Sequence, residues 1–164
     1  MKKIWNEIKD YIFIILAVVL IRTFIVTPAI VDGGSMDNTL ENGQLVLINK
    51  IVMKTNNINR FDIVVINNDA DSDKIIKRVI GLPNEIIEYR DNILYINGKK
   101  VEAEIGFIDT EDFIAKTGEN EYFVLGDNRP ISKDSRYFGS FKKDKILGRV
   151  TIRLFPFSKF GLVK

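Results

Sequence analysis

The chain has 164 residues, 46% of them hydrophobic and 28% charged, with a net charge of +2. That suits one globular domain with a real core, and the balanced charge gives no footprint for nucleic acid. The chain has neither Cys nor His, which excludes disulfides, thiol nucleophiles, the usual zinc sites and every Ser-His-Asp hydrolase. Any activated serine must therefore take its base from a lysine, a carboxylate or the amino terminus.

Residues 12–21 are ten apolar residues without a break. A spanning helix needs about 20 mostly apolar residues. Counting from Ile4 and Trp5 to Arg22 reaches that length, and Pro28 disfavours a helix that continues through Thr27. The segment predicts a transmembrane anchor over about residues 11–28. A cleavable secretory signal lacks a small-x-small site after the apolar run, and an interfacial helix lacks its polar face. A buried core helix fits poorly with a segment apolar all round at the chain start. Lys2, Lys3 and Lys9 precede the span, and Asp32, Asp37 and Glu41 follow it. The positive-inside bias then puts residues 1–10 in the cytoplasm and residues 29–164 outside, against the bilayer.

The stretch Gly33-Gly34-Ser35-Met36-Asp37-Asn38-Thr39-Leu40 comes next, with a serine among flexible glycines. β-type runs follow at 44–49, 62–66, 74–80, 85–89, 93–96, 121–125 and 146–155. Arg90-Asp91-Asn92 reads as a hairpin and Asn97-Gly98 as a turn. Short strands with Gly and Asn turns predict a mainly β domain, a barrel or sandwich. Residues 102–120 are acidic and irregular and read as a surface excursion.

Lys77 lies in Ile75-Ile76-Lys77-Arg78-Val79-Ile80. Strand alternation sends Lys77 and Arg78 to opposite faces, so one of the two cations meets an apolar environment. Burial lowers a lysine pKa, and a neutral lysine can take a proton from a serine hydroxyl. Arginine stays protonated and cannot. Taken alone, such a lysine reads as readily as an edge-strand or snorkelling residue. The loop 126–136 follows a strand and gathers Asp127, Arg129, Ser132, Asp134, Ser135 and Arg136. It is either a polar turn-rich loop or a brace for a reactive lysine.

Four blocks occur in order: Ser35-Met36-x-x-Thr39-Leu40, Arg60-x-Asp62-Ile63-Val64, Lys77 to Pro83, and Gly126-Asp127-Asn128-Arg129-x-x-Ser132-x-Asp134-Ser135-Arg136. Together they resemble the bacterial type I signal peptidases, in the short form typical of Gram-positive bacteria. The resemblance implies a β-rich domain on the outer membrane face, with no metal or cofactor. It implies an endopeptidase that removes signal peptides from secreted pre-proteins after small residues. Ser35 would be the nucleophile and Lys77 the general base, with the Ser35 N–H as oxyanion donor. Ser132 would hold the lysine amine, Asp134 and Arg136 would pair as support, and Asp127 and Arg129 would act similarly. An extended peptide would add to strand edges near Ile30 to Gly34 and near Ile75, with Met36, Leu40 and Ile75 lining its pockets.

Some relatives carry a serine donor at the position of Gly33, which is absent here. The family usually has Pro at Asn38, Gly at Phe61 and Gly at Asn84. Three other readings compete. A self-cleaving repressor would need a DNA-binding helical domain. A silent relative that assembles surface structures such as pili usually lacks the Ser or the Lys. An anchored β domain without chemistry requires the four blocks to coincide by accident.

Overall fold

Strand-forming runs dominate the fold, as the hydrophobic pattern requires. The computed structural model describes residues 2–55, 57–69, 73–102 and 109–163, with side chains for all of these except 2–7 and 54. Helix α1 spans Lys2–Phe24, followed by β1 (Val26–Ile30) and β2 (Leu45–Asn49), a helical turn α2 (Ile51–Lys54), β3 (Ile63–Asn68) and β4 (Asp73–Gly81). Then come β5 (Ile86–Arg90), β6 (Ile93–Ile96), β7 (Lys99–Lys100), β8 (Phe113–Lys116) and β9 (Glu121–Leu125). The turn α3 (Ser135–Phe138), β10 (Phe141–Lys142), β11 (Ile146–Phe155) and β12 (Gly161–Leu162) complete the chain.

The strands form two sheets. The larger runs β1-β2-β11-β3-β4-β9-β10, with β12 on β11; the smaller runs β7-β6-β5-β8. Alternation along β3 gives each face of the larger sheet its own core. Ile63 and Val65 join Val31, Met36, Leu40, Val46, Ile48 and Val150 on one side. Val64 and Ile66 join Ile58, Val79, Val124 and Ile146 on the other. A third cluster, with Ile80, Phe123, Ile87, Tyr89 and Leu94, packs the smaller sheet onto β4 and β9. The β5–β6 hairpin turns through Asp91 and Asn92, at φ 51° and 62°, which suits a two-residue turn with positive φ at both positions.

Three expectations change here. Residues 26–28, counted with the anchor, belong to the sheet: β1 pairs with β2 from Val26 to Ile30. Pro28 fits because β1 is an edge strand and needs one bonding partner only. Residues 102–120 are not simply an excursion, since β8 pairs with β5 and Thr110 and Thr117 are buried. Part of that stretch, 103–108, lies outside the described residues. Finally, among the described residues no helix is long and apolar enough to cross a membrane, so the expected spanning helix is not found there. The apolar side chains of α1 are nonetheless exposed, among them Tyr11, Phe13, Ile15 and Val18. Its end is tied to the sheet by Thr27 Oγ1 donating to the Arg22 carbonyl and Lys50 Nζ donating to the Thr23 carbonyl.

Gly148 sits where β11 crosses closest to β2. A Cβ there would lie 2.6 Å from the Asn49 carbonyl oxygen, a backbone atom that cannot swing away. Gly148→Ala should therefore lower stability by roughly 2 kcal/mol, or about 5 °C in Tm, measured by thermal unfolding.

Candidate active site

Ser35 and Lys77 come from distant parts of the chain and meet. Lys77 Nζ donates to Ser35 Oγ at 2.7 Å. Lys77 sits mid-strand in β4, opposite Val64 of β3, and only 3% of it is exposed. Burial pushes its amine down to about 8, while the carboxylates of Asp134 and Asp127 pull partly in the other direction. Roughly a fifth of the amine is then neutral at pH 7.4 and able to accept a proton.

The serine turn is anchored from below. Met36 and Leu40 are 1% and 0% exposed and plug the turn into the core. The sequence places them in the wall of a substrate pocket; here both side chains are buried. The Leu40 N–H donates to the Met36 carbonyl at 2.8 Å, closing one helical turn after the serine. Asn38 has φ 81°, which proline cannot adopt and asparagine tolerates. Phe61 and Asn84 are also at positive φ, 71° and 62°. The Phe61 ring packs on the third core cluster, and its carbonyl accepts from Arg78.

The loop 126–136 wraps the pair. Asp127 takes Arg78, not Arg129, as its ionic partner: Arg78 Nη2 and Nε donate to its two oxygens at 2.6 and 2.8 Å. Thr39 Oγ1 adds a third bond to Asp127 at 2.6 Å. Alternation explains the choice, because Arg78 points to the face opposite Lys77 and meets the loop there. One buried ion pair therefore joins the serine turn, the lysine strand and the loop. Arg129 instead donates to the Gly126 carbonyl, to Thr110 Oγ1 and to the Tyr89 hydroxyl, which ties the loop to the smaller sheet.

Asp134 and Arg136 pair, with Nε and Nη2 each 2.9 Å from a carboxylate oxygen. Asp134 is fully buried and also accepts from the Gly126 N–H at 3.1 Å. Ser132 does not hold the lysine amine: its Oγ is buried without a hydrogen-bond partner. That oxygen rests on Gly126, where a Cβ would come within 2.2 Å of it and within 2.5 Å of the Ser35 carbonyl oxygen. Sequence reasoning missed Thr39, Arg78 and Asn128 as site residues. The Asn128 N–H donates to the Ser35 carbonyl at 3.0 Å, and its Nδ2 donates to the Gly34 carbonyl at 3.1 Å. Their only signal was their place within the blocks.

A groove of about 740 Å³ lies between β1 and β4. It is walled by Thr27 to Ile30 and Asp32 on one side and by Lys74 and Ile76 on the other. Ile75, expected to line it, faces away and packs with the Val64, Ile66 and Val79 cluster, again by alternation. Among the described residues no group of His, Cys, Asp or Glu side chains could hold a metal ion.

The family described as signal peptidase, peptidase S26, matches residues 4–155. A signal peptidase IB of Staphylococcus aureus is 39% identical over 168 aligned residues, covering 90% of this chain and 86% of its own. A signal peptidase I of Bacillus caldolyticus is 41% identical over 160, covering 88% and 87%. The crystal structure of a signal peptidase I from Enterococcus faecalis V583 is similar at 38% identity and a TM-score of 0.53. It covers 57% of this chain and 97% of that one.

The lysine burial has a measurable cost. Its folded midpoint, about 8, lies below the ordinary 10.5, so between these values the unfolded chain binds the extra proton. The penalty is full below pH 8, fades up to pH 10.5 and vanishes above. Lys77→Met should therefore be the more stable protein at pH 7, by on the order of 3 kcal/mol. Paired thermal melts should show that advantage shrinking as the pH is raised past 8.

Proposed function

The chain belongs to the signal peptidase family, peptidase S26, and is a peptidase; from that premise we propose that Ser35 and Lys77 are the catalytic dyad of a membrane-anchored endopeptidase that removes N-terminal signal peptides from secreted pre-proteins. The observation that carries this reading is the 2.7 Å bond between a buried lysine amine and the serine hydroxyl. In a chain without histidine, it is the pair able to activate a serine.

The substrate peptide lies extended in the groove between β1 and β4. Both strands have a free edge there: β1 ends the sheet, and β4 pairs with β9 only from Arg78 onward. Residues 73–77 can therefore bond a peptide backbone. Shallow pockets along the groove admit small side chains. Neutral Lys77 takes the Ser35 proton as Oγ attacks the scissile carbonyl carbon. The oxyanion accepts from the Ser35 N–H. The Lys77 ammonium then protonates the departing amine, leaving an acyl-serine. Lys77 next deprotonates a water, whose attack releases the signal peptide and restores Ser35. Asp134, Arg136, Asp127 and Arg129 fix the loop around the dyad.

Helix α1 is assigned to the bilayer. It is about 35 Å long at 1.5 Å per residue, its described apolar side chains are exposed, and Lys2, Lys3 and Lys9 sit at its start. The N-terminus is then cytoplasmic and the β domain extracytoplasmic. Anchoring confines enzyme and membrane-bound substrate to one thin layer, which raises their effective concentration. The assembly-factor reading gains nothing here, since both dyad residues are present and in contact.

Incubating the detergent-solubilised chain with a mixed pool of pre-proteins, and mapping the new N-termini, tests the reading. Cuts after small residues at signal-peptide ends are expected; no cut, or cuts elsewhere, would reject it. Ser35→Ala and Lys77→Met should each abolish cleavage. For the wild type, kcat/KM should fall about tenfold per pH unit below pH 8 as Lys77 gains its proton. A level profile from pH 8 to 6 would rule out the neutral lysine as base.

A further inference from the structure

The Gly34–Ser35 peptide group is the part of the serine turn that any oxyanion must face. Gly33 brings no side-chain donor to it. The Ser35 N–H is therefore the donor on which charge stabilisation falls, and among the described residues no acceptor faces it. The other side of the same peptide group is heavily engaged. The Gly34 carbonyl accepts from the Asp37 N–H at 3.1 Å and from Asn128 Nδ2 at 3.1 Å. The next carbonyl, that of Ser35, accepts from the Asn128 N–H at 3.0 Å. Asn128 thus grips both carbonyls that flank the nucleophile.

In a trans peptide the N–H points opposite to the C=O. Fixing the Gly34 carbonyl toward Asn128 therefore fixes the Ser35 N–H away from it, on the side left without a partner. A carbonyl that accepts hydrogen bonds also polarises its peptide, which makes the N–H a stronger donor. We propose that Asn128 is a positioning residue for the oxyanion site: its side-chain amide aims and strengthens the Ser35 N–H where Gly33 supplies no donor. The proposal rests on the reading of Ser35 as the nucleophile. Asn128 touches no reacting atom and acts through the Gly34–Ser35 peptide.

The backbone N–H of Asn128 is kept in any substitution other than proline, so replacing its side chain isolates the amide. Asn128→Asp keeps the shape and removes the donor. Its kcat should fall roughly 10- to 100-fold with KM within about threefold. In Asn128→Ala, which adds no charge beside Lys77, the acid limb of kcat/KM should keep its midpoint. A peptide aldehyde, whose adduct with Ser35 places an oxygen in the oxyanion position, should lose affinity in step with kcat. An uncleavable peptide of the same sequence should bind as before. Full kcat in Asn128→Asp, or equal weakening of aldehyde and uncleavable peptide, would overturn the proposal. Asn128→Ala serves the same comparison if the aspartate variant does not fold. Ser35→Ala run alongside separates the two claims: activity surviving there sinks the dyad, whereas a dead Ser35→Ala beside an unimpaired Asn128→Asp sinks only the role of Asn128.

Discussion

The site depends on keeping one lysine amine dry. An ammonium in water is stable and useless as a base; a buried amine is costly and reactive. Lys77 is 3% exposed and held in the middle of a strand paired to β3, so it cannot swing out to solvent. The buried carboxylates of Asp134 and Asp127 temper the effect. They keep the folded value near neutrality, where proton acceptance and proton return are both feasible.

The remainder of the domain holds a serine against that amine. Arg78 and Asp127 form a buried ion pair whose donors and acceptors are also satisfied by Thr39 and the Phe61 carbonyl. Such a pair adds little net stability, because desolvation offsets the attraction, but breaking it would be expensive. Its role here is registry: it joins three segments far apart in sequence at one point. Gly126 completes the arrangement by having no side chain where Ser132 and the Ser35 carbonyl press against it. Asn128 then closes the loop over the serine turn.

Much of this was legible in the chain. The absence of histidine and cysteine forced the search toward a lysine, and β-branched alternation marked the main strands close to their observed limits. Local pattern failed where long-range pairing decided the outcome. Pro28 signalled a break, yet an edge strand accepts it. Residues 113–116 carry mixed polarity because one face of β8, with Phe113 and Ala115, packs into the third core cluster while Ile114 is exposed. Met36 and Leu40 sit beside the serine in sequence, and nearness suggested a pocket wall; the short turn folds them under it instead. Asp127 lies two residues from Arg129 but bonds Arg78, 49 positions away, a choice no spacing rule reveals. The apolar run at the start was plain in the sequence, whereas its described part falls short of a span.

The central claim is that burial against Ser35 lowers the Lys77 midpoint far enough for a working fraction of the amine to be neutral. Titrating the Lys77 side chain directly, by NMR of the chain carrying labelled lysine with Lys77→Arg to assign the signal, tests it without any substrate. A midpoint near 8 is the result this account predicts. A midpoint near the ordinary 10.5 of an exposed lysine would contradict it.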